Sequence, residues 1–262
     1  MIDLAQAVAL WSLPAFLLLD LVVRARRFDT TRFWRVRALA VTAFTFFFST
    51  AVAVFWGERL TGAPLIDGSG LGSWLGALVG ILVYELLHYA WHRGAHRFEP
   101  LWRAAHQMHH SAEANDAFGA YYLHPLDTVV FTTLASVVFF PLLGLTPAAG
   151  ALGAAFLAFN AMFQHANLRT PRWLGYVIQR PESHQVHHGV HRWNYSDLPL
   201  WDMVFGTFRN PARYEGPVGF YRGASARLPE MLIGRDVSRP RRHAAEARRL
   251  PRRPAAASRA SA

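Results

Sequence analysis

LGSWLGALVGILVYELLHYAWHRGAHRFEPLWRAAHQMHHS, residues 71–111, changes character halfway along. From Leu71 to Trp91 it is almost wholly apolar, with Glu85 and His88 as its ionisable interruptions. That length meets the roughly 20 residues a helix needs to cross a hydrocarbon layer of about 30 Å. From His92 onward the chain is polar and rich in histidine. A membrane helix that delivers its chain into a histidine-rich segment is the reading around which the rest of the sequence is organised.

Working outward, residues 4–23, 38–56, 126–145 and 147–164 form further apolar blocks, in a chain of 262 residues that is 52% hydrophobic and only 17% charged. The expected fold is all-α. It has four to five membrane helices, the last two a hairpin turning near Leu143–Ala149 that either spans fully or re-enters, and a cytosolic helical cap that holds the histidines. No basic region precedes the first block, as a signal peptide requires. Arginines follow it instead: Arg24, Arg26, Arg27, Arg32, Arg35 and Arg37 fill the first connection, whereas the connection from Gly57 to Ser69 carries only Arg59. The positive-inside rule puts the first connection in the cytoplasm and, counting spans, places every histidine group and the chain beyond Gln164 on that side.

The formal charge of +10 comes from arginine alone, since the chain contains no lysine. These arginines flank membrane segments or fill the C-terminal stretch, which argues against nucleic acid as a partner. The absence of cysteine excludes disulfides, cysteine-ligated iron–sulfur clusters and thiolate haem. Arginine and alanine richness without lysine points to a GC-rich bacterial genome, and so to a bacterial inner membrane. Residues 1–234 read as one membrane-embedded domain, with N-terminal membrane helices in 1–69 and a histidine-motif core in 70–210. Residues 235–262, rich in Arg, Ala, Pro and Ser, read as a disordered tail that either touches anionic headgroups or has no role.

Twelve of the 13 histidines lie between His88 and His191. His92 and His96 read HxxxH; His106, His109 and His110 read HxxHH; His184, His187 and His188 repeat HxxHH; and His165 ends the fifth apolar block. On a helix, positions i and i+3 or i+4 share a face, so each group aims imidazoles at one place. A lone HxxxH arises often by chance, but three such groups on one side of the membrane do not. Nine imidazoles exceed the shell of one ion and fit two ions with positions left open. No phosphate-binding glycine loop, Ser/His/Asp arrangement or dinucleotide fingerprint is present.

These motifs resemble the membrane fatty acid hydroxylase and sterol desaturase superfamily. Its acidic residue, tyrosine and HRxxH match Glu85, Tyr89, His92, Arg93 and His96; its tryptophan and HxxHHS match Trp102, His106, His109, His110 and Ser111. Its histidine-proline matches His124-Pro125, and its histidine-x-asparagine matches His165 and Asn167. The last element matches His184, His187, His188, Asn194, Tyr195, Trp201, Asp202, Phe205, Gly206 and Thr207. The resemblance spans roughly residues 70–210, with Glu85 where the family usually has aspartate. It implies two iron ions, with zinc an expected replacement in purified material. It also implies dioxygen, an external electron donor (a ferredoxin, cytochrome or reductase), and hydroxylation or desaturation of a sterol-like, fatty acyl or alkyl lipid.

On this reading His92, His96, His106, His109, His110, His165, His184, His187 and His188 are metal ligands. The alternative for His165 is a helix C-terminal histidine at the interface. His88, His124 and His191 are each a further ligand or a supporting residue. Glu85, Asn115, Asp116, Asn167, Glu182, Asn194 and Asp202 are candidates to hold ligand rings through their second nitrogen, and Arg93 is a candidate partner for Glu85. His243 is assigned nothing. The rival functions are a membrane metal transporter or metal-binding protein, which would place its ligands near the bilayer midplane, and a catalytically inactive homologue that binds lipid.

Overall fold

The computed structural model describes residues 2–240 of the chain, and every regular element among them is helical. Helices α1 (Ile2–Val22), α2 (Trp34–Arg59) and α3 (Gly72–Arg97, continuous with a turn at Ser69–Leu71) come first. Short helices α4 (Glu99–Leu101) and α5 (Gln107–His110) flank a π-helical turn at Trp102–His106. Next come α6 (Pro125–Val137), continued by a second π-turn to Leu142, and α7 (Pro147–His165). The cap adds α8 (Pro181–Val190), α9 (Pro199–Val204) and α10 (Leu228–Leu232). Among the described residues, four helices are long and apolar enough to cross a membrane: 2–22, 34–59, 69–97 and 125–142. The protein is an integral membrane protein. The fifth apolar block forms α7, which packs between α1 and α3, while α2 packs on α6.

Local chemistry sets these boundaries. Proline at the first position starts both α6 and α7, where a missing N–H costs nothing, and Thr146 caps α7 by accepting from the Ala149 N–H at 3.2 Å. Gly144, with φ +53°, turns the chain between them; a Cβ there would meet Pro64 and the Ile66 carbonyl. Helix contacts near the hairpin end are tight, and a Cβ on Gly153 would overlap the Phe139 ring.

The two ends of the bundle are distinct. At one, the connection after α2 pairs with the hairpin apex, Leu65 N donating to Pro141 O at 2.8 Å and Ile66 N to Leu142 O at 3.0 Å. At the other, Asp20 at the end of α1 accepts from Ala117 N (2.6 Å) and Asn167 N (2.9 Å), and Ala25 N donates to Asn167 O. Residues 23–33, 98–124 and 166–240 therefore share the end where the histidines lie. The expected tail boundary at 235 falls on packed chain: Gln107 Nε2 donates to Arg235 O, and Val237 is fully buried. Residues 241–262, the rest of that stretch and the site of His243, lie outside the described residues.

Candidate metal centre

Each histidine group is positioned by a helix end. α3 runs past its apolar block because nothing in His92–Arg97 stops it, and this places His92 and His96 one turn apart on one face. The π-turn at Trp102–His106, closed by the Gln107 N–H on the Trp102 carbonyl, inserts an extra residue where the next group begins. α8 starts at Pro181 and carries His184, His187 and His188 on a regular helix.

These nine imidazoles converge as two sets. One ring nitrogen from each of His92, His96, His106, His110 and His187 lies within 4.8 Å of the others, and the same holds for His109, His165, His184 and His188. Both HxxHH motifs divide in the same way. The i and i+4 histidines stay together, while the i+3 residue crosses over: His106 and His110 in one set with His109 in the other, His184 and His188 in the second with His187 in the first.

The donor set fits cations. Four rings have Nδ1 against an acceptor that fixes the proton there: His106 against Asp127 Oδ2 (2.8 Å), His92 against Tyr195 O (2.6 Å), His187 against Trp193 O (2.9 Å) and His165 against Ala161 O (2.7 Å). Their Nε2 lone pairs therefore point inward. Yet Nε2 of His110 lies 3.1 Å from Nε2 of both His106 and His187, and Nε2 of His165 lies 3.2 Å from that of His109 and 3.0 Å from that of His184. A proton on His110 satisfies one of its two neighbours and leaves the other lone pair opposed. Nε2 of His92 and His96 is buried with no partner. Burial first, and then mutual repulsion among the rings, holds His109, His110, His184 and His188 well below the usual imidazole range; burial does the same to His187. These five rings therefore carry no charge at neutral pH. The cluster can hold metal.

The remaining candidates fall outside the two sets. His88 groups with Glu85 and Asp197, its Nδ1 3.7 Å from Glu85 Oε2. His124 caps α6, accepting from Leu126 N. His191 ends α8 in the left-handed region (φ 56°), its ring stacked on Phe220 and 5.0 Å from His110. Glu85 does not pair with Arg93, which lies two turns further along α3 and donates to the Tyr89 hydroxyl at 2.9 Å. Glu85 Oε2 accepts instead from Ser196 Oγ, Asp197 N and Leu198 N, and so ties α3 to the loop before α9.

The other carboxylates and amides fasten backbone. Asp202 accepts from Tyr195 N (2.8 Å) and Ser196 N (2.9 Å), and burial raises its carboxyl to about 6. It thus aims the Tyr195 carbonyl that holds His92. Asn194 donates to Ser183 O and Arg209 O, Asn167 bonds Arg26, Asn115 donates to Gln164 O, and Glu182 pairs with buried Arg180. Asp116 takes the Trp34 indole N–H and sits at about 6, raised by burial and by Asp20.

Sequence reasoning missed Asp127, which touches His106 directly and also accepts from Trp91 Nε1 at 3.2 Å. Its signal was its position: the lone acidic residue of an apolar helix, two places after Pro125. The carbonyls of Ala161, Trp193 and Tyr195 left no signal.

The model of the family described as fatty acid hydroxylase matches residues 77–207, the stretch that carries all nine imidazoles. Among curated proteins, the chain is similar to a very-long-chain aldehyde decarbonylase of Oryza sativa subsp. indica, 31% identical over 44% of this chain and 47% of that protein. It is also similar to a sphinganine C4-monooxygenase of Arabidopsis thaliana, 25% identical over 44% and 47%. A third relative is an ornithine lipid hydroxylase of Rhizobium tropici, 31% identical over 46% and 38%. The match thus spans about half or less of each relative's length. No solved structure matches the chain.

Proposed function

From the premise that this chain belongs to the fatty acid hydroxylase family, whose model covers half of its length, we propose that it oxidises a C–H bond of a membrane lipid with dioxygen at two metal ions held by nine histidines. The observation that carries this reading is the inward convergence of nine ring nitrogens in two adjacent sets, with Nε2 of His92 and His96 buried and without a partner. His92, His96, His106, His110 and His187 would hold one ion, and His109, His165, His184 and His188 the other.

Bound iron would supply the redox chemistry for activating dioxygen, with electrons from an external ferredoxin, cytochrome or reductase. The chain's own part is to fix ring orientation through Asp127 and the three carbonyls, to keep His109, His110, His184, His187 and His188 neutral by burial, and to exclude water from the centre. Zinc binds imidazole well and is expected to replace iron in some preparations. The relatives act on very-long-chain aldehydes, sphinganine and ornithine lipids, and a long-chain lipid dissolved in the bilayer is the substrate class proposed for this chain, with hydroxylation or desaturation as the outcome. Its histidine end would face the cytoplasm of a bacterial inner membrane. The ligand sets lie at helix ends, away from the midplane where a transporter holds its cargo.

Elemental analysis of the detergent-purified protein, expressed with iron, tests the reading. About two transition-metal ions per chain are expected, lost in a His109→Ala, His187→Ala double variant, together with lipid oxidation that requires both dioxygen and reductant. Well-folded protein free of metal would overturn it.

A further inference from the structure

The third membrane helix extends from Ser69 to Arg97; with one boundary of a ~30 Å hydrocarbon layer set at Ser69, a rise of about 1.5 Å per residue puts Leu82 about 20 Å in, roughly 10 Å short of the far boundary. Tyr89, at about 30 Å, lies at that boundary. α9 is pinned between these levels. Trp201 Nε1 donates to the Leu82 carbonyl at 3.0 Å, and the Phe205 ring stacks on Tyr89 at 4.9 Å. Leu198, just before α9, packs into the apolar cluster of Ala77, Ile81, Tyr84 and Phe139.

The outward face of this segment is apolar: Leu200 is 41% exposed, Met203 40%, Val204 60% and Phe205 46%. Its one charged residue, Asp202, is fully buried and faces the loop above. On the side of α3 that carries Leu82, Leu78 and Leu75 are exposed on a membrane helix. An apolar surface at this depth, continuous with a lipid-facing helix, is covered by acyl chains and not by water.

We propose that Leu198–Phe205 is immersed in the acyl region of the leaflet on the histidine side, with α9 lying against α3 as an interfacial helix. Asp202 then links the lipid to the metal centre. It projects from the immersed helix, accepts from Tyr195 and Ser196, and so positions the carbonyl that orients His92.

The chain contains no cysteine, so single cysteines can be labelled without background. An environment-sensitive NBD fluorophore is placed on Val204→Cys and, independently, on Met203→Cys, in full-length protein in phospholipid vesicles. Leu78→Cys serves as the lipid-facing reference and Arg222→Cys, with a side chain 65% exposed, as the aqueous one. Both test labels are expected to be quenched by nitroxide-bearing lipids to the extent seen at Leu78 and to be protected from aqueous iodide. Iodide quenching equal to that at Arg222 would overturn the proposal, as would quenching by neither reagent, which would mean that a second copy or another protein covers the face. The outcome is independent of metal content or turnover, so an inactive enzyme with lipid-quenched labels leaves this inference standing.

Discussion

The two HxxHH segments are spelled alike and built differently. His106–His110 lies partly in a π-turn, and its first ring is held by a carboxylate, Asp127, from another helix. His184–His188 lies on a regular helix, and its crossing ring, His187, is held by the Trp193 carbonyl six residues further along. One segment depends on a side chain that mutation can remove; the other depends on the path of the backbone. The histidines of the two segments divide alike between the sets while their supports differ, and the supports decide how each segment fails.

The largest effect is expected where the segments interlock. His109 and His187 each cross into the set supplied mainly by other elements. His109→Ala and His187→Ala, each alone, should cost more than the ~10–100-fold that removal of a supporting residue costs in metal affinity or activity. They should do so about equally, measured as bound metal and lipid turnover. Unequal losses would break the symmetry between the motifs.

Asp127→Asn should come next. The amide keeps the shape but can turn an N–H toward His106 Nδ1, favouring the wrong tautomer, so a drop of about 10–100-fold in metal affinity is expected. Asp202→Asn should cost less, about 10-fold or under, because it acts on His92 only through the turn that carries Tyr195. Metal titration against a competing chelator ranks the two.

The segments should respond alike to acid. Burial depresses His109 and His110 in one and His184, His187 and His188 in the other. Unfolded histidines take up protons below about pH 6.5 while the folded ones do not, so stability is full above that pH and declines as pH falls. Thermal unfolding of metal-free protein in detergent should show a falling Tm from about pH 7.5 to about pH 5.5. His110→Asn and His188→Asn should each flatten that slope by a similar amount.

Membrane helices and histidine spacing are legible because each is a repeated signal. Twenty apolar residues cannot hide, and a helix obliges i and i+4 histidines to share a face. The block ending at residue 91 understates α3, because hydropathy stops at His92 whereas the hydrogen-bonded helix does not. His124 reads as a companion of the metal centre, yet a residue followed by proline at a helix start is a cap, and the structure uses it so. Asp127 reads as the edge of an apolar block, since a single carboxylate there marks a boundary as readily as a partner. The π-turn and the three carbonyls have no side-chain signature, and no reading of residue types finds them.

Trp193 gives the smallest effect and the sharpest contrast with Asp127. Its ring meets the guanidinium groups of Arg192 and Arg209 (4.7 and 3.7 Å from its centroid), and its backbone is left-handed at φ 70°. Only its carbonyl meets His187. The loop path is kept by other residues: Asn194, itself at φ 50°, is clamped to Ser183 and Arg209, and the Asn194 N–H bonds the Thr207 carbonyl. Trp193→Ala removes the ring and its cation contacts, worth about 1 kcal/mol at an exposed site, and leaves the carbonyl in place. Metal affinity should change by no more than about 3-fold, against the ~10–100-fold expected at Asp127. A Trp193→Ala loss as large as that of Asp127→Asn would mean that the ring, and not the loop around it, holds the backbone on which the second segment relies.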